Sequence, residues 1–362
     1  MSSKEIGYAV FGLGVGKSHL ASAVKANGCK FVAICDMNET VLNKLGDEYG
    51  IDPANRYTSY EELLKREDID AISICTPSGW HKEHTVMALR AGKHVLTEKP
   101  LEISVERIDE MNRVAAEEGR FLGCVFQNRL APANQLIKET IDSGRMGKMI
   151  TSNFHLKWYR DDKYYAKNGG WRGTWAMDGG GAIMNQTIHT VDLMQWFMGP
   201  VRSIFAKMGT YNHPIETEDT AVAVITFESG AIGTLIGTTC AYPGLEVSVQ
   251  IHGAKGSIYS KSNKIELFKM ADDDEQRSEE SRVLESYGIN ATAKPTSESV
   301  GLPKTGHAGQ VQDMINAVIA GCPPMIEGKE GRASVEIVQA LYESARTGKE
   351  VFMPYVQELN RV

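Results

Sequence analysis

The sequence contains no Cys-x-x-Cys pair, no block of lysines or arginines, and no window approaching the roughly 20 apolar residues that a membrane span needs. Each absence removes a class. Six cysteines (Cys29, Cys35, Cys75, Cys124, Cys240 and Cys322) lie far apart, most of them inside apolar strand-like runs, so reduced, buried thiols are expected rather than a disulfide framework. A net charge of −7 without a basic run argues against a nucleic-acid footprint or an anionic membrane surface. The opening "MSSKEIGYAVFGLG" lacks a charged segment followed by an apolar stretch and cleavage site, and a cytoplasmic location is expected. No internal repeat or low-complexity tract is present. The 35 glycines fall at turns and in one loop cluster, which excludes collagen-like and disordered compositions.

What is present is a chain of 362 residues, 42% hydrophobic and 23% charged, long enough for two domains. Its first part alternates strand and helix. "IGYAVFG", "KFVAICD", "AISICTP", "HVLTEKP" and "RFLGCVF" read as five strands, separated by helical runs such as "KSHLASAVKANG" and "VERIDEMNRVAAEEG". Ser59 and Glu62 stand at capping-box spacing before another short helix. Strict β/α alternation with short links predicts a doubly wound parallel sheet over residues 1–126.

Beyond that point the pattern changes. Strand-like "KMITSNFHLKWY", a glycine-rich loop, a helix through Trp196, and runs such as "DTAVAVITFESGAIGTLIGTTCAY" predict an α+β domain with a mostly antiparallel open sheet over 127–362. Ser229-Gly230 has the position of a hairpin turn, and the last helix is expected to be able to pack back on the first domain. The polar segment 270–304 reads as a surface loop or a substrate lid.

In "VFGLGVGKSH", Gly12, Gly14 and Gly16 follow the first strand and open the first helix. Gly12 permits the tight turn, Gly14 lets backbone approach a pyrophosphate, and the helix N-terminus supplies N–H groups and positive potential. Asp36 ends the second strand, 20 residues after Gly16, where a carboxylate accepts hydrogen bonds from an adenosine ribose and repels a 2′-phosphate. NAD is therefore the expected cofactor. Thr76 and Pro77 stand at the C-terminal edge of the third strand, where ligands bind in such sheets.

In "NQTIHTVDL", Asn185 and His189 are four apart, on one face of a helix, and Asp192 is three further on. No cluster of His, Cys and Glu at metal-binding spacing is seen. "KWYRDDKYYAKNGGWRGTWAMDGGG" combines aromatics with Arg160 and Arg172, either as sugar-stacking faces with arginines for hydroxyls or an anion, or as an aromatic-rich interface. Trp171 and Arg172, nearest the glycine run, are the expected substrate contacts. Gln127, Asn128 and Arg129 follow the fifth strand, where they can reach the nicotinamide or the substrate, and Arg129 fits a structural ion pair equally well.

Together the G-x-G turn, "TPSGWHKEHTVMALRAGKHVLTEKP" and "GGGAIMNQTIHTVDLMQWFMG" resemble the Gfo/Idh/MocA family of oxidoreductases, along with "VFQNRLAPA" and "YESARTGKEV". The resemblance implies a Rossmann domain joined to an α/β domain whose open sheet makes oligomer contacts, hence a homodimer or homotetramer. It implies that Glu98-Lys99-Pro100 is the family's E-K-P motif, with a cis Lys–Pro bond and Lys99 beside the nicotinamide ribose and the reacting hydroxyl. It also implies that His189 is the acid/base, with Asn185 where many members carry aspartate, and that His307 stands at a position able to line the pocket. The expected cofactor site is Gly12, Leu13, Gly14, Val15, Gly16, Asp36, Met37, Thr76, Pro77, His81, Glu98, Lys99 and Gln127. The expected substrate contacts are Trp171, Arg172, Asn185, His189 and His307. The implied activity is NAD-dependent oxidation of a ring hydroxyl of a sugar, cyclitol or sugar derivative. A family glycosidase that recycles NAD, and a nucleotide-sensing regulator on a dehydrogenase scaffold, are the alternatives.

Overall fold

The computed structural model describes residues 5–273, 278–291 and 306–355. The chain divides into two compact units, Met1–Gln127 with Ser299–Arg332, and Asn128–Glu298 with Ala333–Val362.

The N-terminal stretch runs β1 (Ile6–Phe11), α1 (Gly16–Ala23), β2 (Cys29–Cys35), α2 (Glu39–Glu48), β3 (Arg56–Tyr57), α3 (Tyr60–Leu64) and β4 (Ala71–Ile74). It continues with α4 (His81–Arg90), β5 (His94–Thr97), α5 (Val105–Glu117) and β6 (Leu122–Cys124). The six strands pair in parallel in the order β3-β2-β1-β4-β5-β6. Every residue of β1 and β4 is buried, as a sheet covered on both faces requires. The sixth strand, β3, has two residues and so no periodicity that a sequence could show. Ser59 caps α3 by accepting from the Glu62 N–H, but its hydroxyl donates to Glu61, so the capping box is half formed.

The remainder comprises α6 (Pro132–Asp142), β7 (Met149–Lys157), α7 (Asp162–Ala166), α8 (Ile188–Met198), β8 (Val201–Gly209), β9 (Thr220–Phe227) and β10 (Ile232–Thr238). Then come β11 (Ser248–Gly253), β12 (Gly256–Lys261), β13 (Lys264–Met270), α9 (Glu279–Tyr287), α10 (His307–Ala320), α11 (Gly328–Thr347) and β14 (Val351–Phe352). Eight strands form one sheet in the order β13-β12-β11-β7-β10-β9-β8-β14, antiparallel except where β7 meets β10. Ser229 and Gly230, with Gly230 at φ +83°, lie between the paired strands β9 and β10.

Two features depart from the reading of the sequence. The penultimate helix, α10, belongs to the first unit: Val311, Met314 and Ile315 join the core around β1, and α1 packs against it. Gln312 pins it by accepting from the Asn27 N–H and donating to the Asn27 carbonyl. A chain boundary at 126/127 therefore does not separate the units. Secondly, residues 279–287 of the polar segment form α9, seated on β13 with Val283 buried, rather than a loop. Three apolar residues, Val283, Leu284 and Tyr287, of which only Val283 is buried, make too short a stripe to read among charges. Residues 274–277 and 292–305 of that segment lie outside the described residues. All six cysteines are free; Cys322 is exposed, contrary to the expectation of burial, because it follows the end of α10.

Candidate active site

The glycine loop, Asp36, Thr76 and Glu98-Lys99 follow β1, β2, β4 and β5, all at the C-terminal edge of one parallel sheet. Gly12 has φ +86°, and a Cβ there would stand 2.6 Å from the Cys75 carbonyl oxygen, so the turn crosses the end of β4 too closely for any side chain. At Gly14 a Cβ would meet nothing within 4 Å, leaving open space against bare backbone. Val15 stands at the N-cap of α1 without a side-chain cap, so no side-chain acceptor takes up the first N–H groups of that helix. Leu13 and Gly16 are buried and shape the loop from below.

Asp36 accepts from the Leu13 N–H (2.6 Å) through Oδ2 and from the Asn38 N–H (2.8 Å) through Oδ1. The carboxylate expected on a ribose thus also fastens the glycine loop to β2. Beside it a cleft of about 260 Å³ is lined by Met37, Phe11, Tyr60, Trp80, His84 and Met87 among others, a largely apolar space with the aromatic surface to take a purine. The Gln127 Oε1 is buried without a hydrogen-bond partner and can accept from an amide. These residues fit NAD: free helix-start N–H groups for the pyrophosphate, Asp36 for the ribose, the cleft for adenine and Gln127 for the carboxamide.

Glu98 and Lys99 follow β5, and the Lys99–Pro100 bond is cis. Glu98 is 4% exposed. Its Oε1 accepts from His19 Nε2 (3.0 Å) and His307 Nε2 (3.1 Å), and its Oε2 from the Lys99 N–H (3.1 Å). Burial opposes the charge, but the two imidazole donors outweigh it and hold the Glu98 carboxyl well below the usual carboxylate range. Burial lowers His19, which is therefore neutral. An ionised carboxylate only accepts, so His19 Nε2 donates and its Nδ1 accepts from the Ser73 hydroxyl (2.8 Å); the Tyr8 hydroxyl in turn donates to Ser73 (2.6 Å). Each donor direction forces the next. Glu98 is thereby a brace that sets the Lys99 backbone. His307 likewise faces Glu98, with a quarter of its side chain exposed.

His81 is also a brace. It is 1% exposed, with Nδ1 on the Pro100 carbonyl and Nε2 on the Thr76 carbonyl, both at 2.8 Å. The Thr76 hydroxyl is bound to His84.

In the second unit the helix carrying Asn185 and His189 opens as a π-helix, Ala182–Thr187, before α8. Asn185 and His189 therefore do not share one α-helical face as their spacing suggested. From Gly180 to Met194, His189 is the one residue not fully buried. Asn185 donates through Nδ2 to Asp178 and accepts at Oδ1 from Tyr164 (3.2 Å) and Gln186 (2.5 Å), so both ends of its amide hold protein groups and it orients its neighbours. The π-helix is anchored by Glu218, which accepts from the Ile183 N–H (2.8 Å), the Tyr342 hydroxyl (2.9 Å) and the Gly181 N–H (3.0 Å). Burial raises the Glu218 carboxyl to about 7, against those hydrogen bonds. A Cβ on Gly181 would lie 1.9 Å from the Glu218 carbonyl oxygen.

Trp171 and Arg172 are half-buried, with the Arg172 guanidinium 4.7 Å from the Trp171 ring and 5.0 Å from that of Tyr164. Arg129 resolves as structural: it makes a bidentate pair with buried Asp192 at 2.8 and 2.6 Å. Among the described residues two sets of potential metal ligands lie close together, His19/Glu98/His307 and His213/Asp219/Cys240. The first is the network above. In the second, Asp219 Oδ2 takes backbone N–H groups from Tyr211, Asn212 and His213. Hydrogen bonding accounts for both.

His19, Ser73, Asp178, Glu218 and Tyr342 escaped the sequence reading. A histidine on the buried side of the helix behind a glycine loop was the available signal for His19. Nothing local marks the others.

Residues 6–126 match the oxidoreductase family with an NAD-binding Rossmann fold, and residues 134–259 match the GFO/IDH/MocA C-terminal domain. Myo-inositol 2-dehydrogenase of Thermotoga maritima is 25% identical over 94% of this chain and 97% of its own length. The 1,5-anhydro-D-fructose reductase of Ensifer adhaerens is 30% identical over 68% of this chain and 73% of its own. Among solved structures, the WlbA dehydrogenase of Bordetella pertussis, in complex with NADH and UDP-GlcNAcA, superposes with a TM-score of 0.83 at 31% identity, covering 97% of this chain and all of that one. The fold and strand-edge site are those of an NAD-binding oxidoreductase. The chain belongs to the GFO/IDH/MocA family.

Proposed function

We propose that the protein oxidises a ring hydroxyl of a sugar, cyclitol or sugar derivative, with Lys99 polarising the hydroxyl and His189 exchanging its proton. The observation that carries this reading is the Glu98 network, which places a fixed carboxylate behind Lys99 at the same strand edge as the glycine loop and Asp36. Bound NAD supplies the hydride acceptor. The Lys99 ammonium stabilises negative charge as it develops on the substrate oxygen. His189 in its neutral form accepts the hydroxyl proton; positioned acid/base catalysis of this kind contributes roughly 10²–10⁴-fold. Asn185 and Asp178 hold the helix start that presents His189. The names of the inositol dehydrogenase and anhydrofructose reductase, and the sugar nucleotide in the dehydrogenase complex, support the substrate class.

The exposed face of the second sheet supports assembly as a homodimer or homotetramer. Phe205, Val222, Val224 and Ile232, from 42% to 55% exposed, lie on adjacent strands with their side chains on one face. Six unpaired cysteines support a reducing, cytoplasmic setting.

Lys99→Ala tests the mechanism. NAD binding by calorimetry should persist, while NADH formation from sugars and inositols, followed at 340 nm, should fall by roughly 10³-fold or more. Turnover near that of the parent protein would remove Lys99 from the reaction. Net accumulation of NADH by the parent distinguishes a dehydrogenase from a glycosidase that returns its hydride.

A further inference from the structure

Arg160 and Arg172 stand on the same aromatic ring. The Arg160 guanidinium lies 5.1 Å and that of Arg172 5.0 Å from the centre of Tyr164, and each also covers a tryptophan, Trp158 at 4.8 Å and Trp171 at 4.7 Å. The Tyr164 hydroxyl donates to Asn185, whose helix carries His189. Among the described residues neither guanidinium forms an ion pair with a carboxylate, whereas Arg107, Arg129 and Arg145 each do. The nearby acids are otherwise engaged: Asp178 accepts from Gly173 N–H and Asn185, and Asp161 caps α7 through the Tyr164 N–H. Arg160 reaches only the Gln186 amide and its neighbour's carbonyl, and its Nε is buried without a partner.

Two like charges held on one ring, half-buried and in no ion pair among the described residues, gain from the arrival of an anion. Contact with the rings confines the guanidiniums, whose remaining N–H groups can form paired, charge-assisted hydrogen bonds with an anion. Neutral hydroxyls do not require this arrangement; amides and single hydroxyl groups bind them with less repulsion. We propose that Arg160 and Arg172 form an anion subsite, so that the substrate is an acidic sugar or cyclitol derivative carrying a carboxylate or a phosphate ester. This rests on the dehydrogenase reading above and narrows it.

The test uses substrate twins that differ only in the anionic group, with the NAD-loaded protein and NADH formation as the readout. The twins are glucose against glucuronate, UDP-glucose against UDP-glucuronate, and glucose against glucose 6-phosphate. At least one acidic member should exceed its neutral twin in kcat/KM by roughly 10- to 100-fold. A preference confined to the uronates assigns a carboxylate, and one confined to the phosphate assigns a phosphate ester. In Arg172→Gln the acid-to-neutral ratio should collapse toward one, and Arg172→Lys should restore part of it. The parent's preference should weaken as salt is raised. Equal kcat/KM within every twin pair, or a ratio that survives Arg172→Gln, overturns the subsite while leaving the dehydrogenase intact. Tryptophan fluorescence titration of the same twins extends the test to acids that bind without turning over: an acidic twin bound no more tightly than its neutral partner, or binding by none of them, also counts against the subsite. Failure of the dehydrogenase reading would instead appear as no NADH from any polyol, neutral or acidic.

Discussion

Glu98 and Glu218 are both buried glutamates that fasten backbone near candidate catalytic groups, and their charges go opposite ways. Each accepts three hydrogen bonds. Glu98 takes two of its three from imidazoles and is held ionised; Glu218 takes its three from backbone N–H groups and a phenol, and burial prevails, raising it to about 7. The difference lies in the donors, since both residues are within 4% of full burial. A carboxylate beside Lys99 is a fixed negative charge. The one under the π-helix is a group able to change its protonation near neutral pH.

The comparison breaks most visibly at Glu98. Glu98→Ala leaves the His19 Nε2–H buried without an acceptor and releases Lys99, and should destabilise the protein by about 3 kcal/mol in urea unfolding at pH 7. A loss below about 1 kcal/mol would mean that the network only decorates the core.

Glu218 yields a pH signature of opposite sign. Its folded-state pKa is about 7 against 4.5 unfolded, so between those values the folded chain binds the extra proton and stability falls as pH rises. The contribution is fully present below pH 4.5, is lost through pH 7, and amounts to roughly 3 kcal/mol. Unfolding free energies of the parent and Glu218→Gln, compared from pH 5 to pH 8, should converge or cross by that amount. A pH-independent difference would show that Glu218 keeps one charge state throughout. Glu98 contributes in the other window: its share exists above the unfolded value of 4.5 and is lost as pH falls below it.

His307 gives the smallest effect. His307→Ala removes one of the two imidazole donors and should cost about 1 kcal/mol. It should also move the acid limb of the stability profile to higher pH, because the Glu98 carboxyl loses part of what depresses it. An unmoved limb would assign the whole depression to His19.

Much of this was legible in the chain itself. The alternation of apolar runs and capped helices identified the parallel sheet, and the glycine loop, Asp36 and the E-K-P triplet fell at its strand ends as expected. The two-residue β3 and the lightly striped α9 were not legible, since neither contains enough periods to register. His81, expected at the cofactor, and Asn185, expected beside the acid/base, also hold protein groups that no sequence pattern could show.

Local order and spacing therefore determined the strands, the turn glycines and the acidic strand end, because period, φ sign and terminal position are properties of neighbouring residues. Tertiary structure alone decided which glutamate stays charged, which arginine is paired and where α10 packs. Those outcomes depend on groups such as His19 and His307, or Arg129 and Asp192, brought together from distant parts of the chain; burial and counter-charge arise only once they meet.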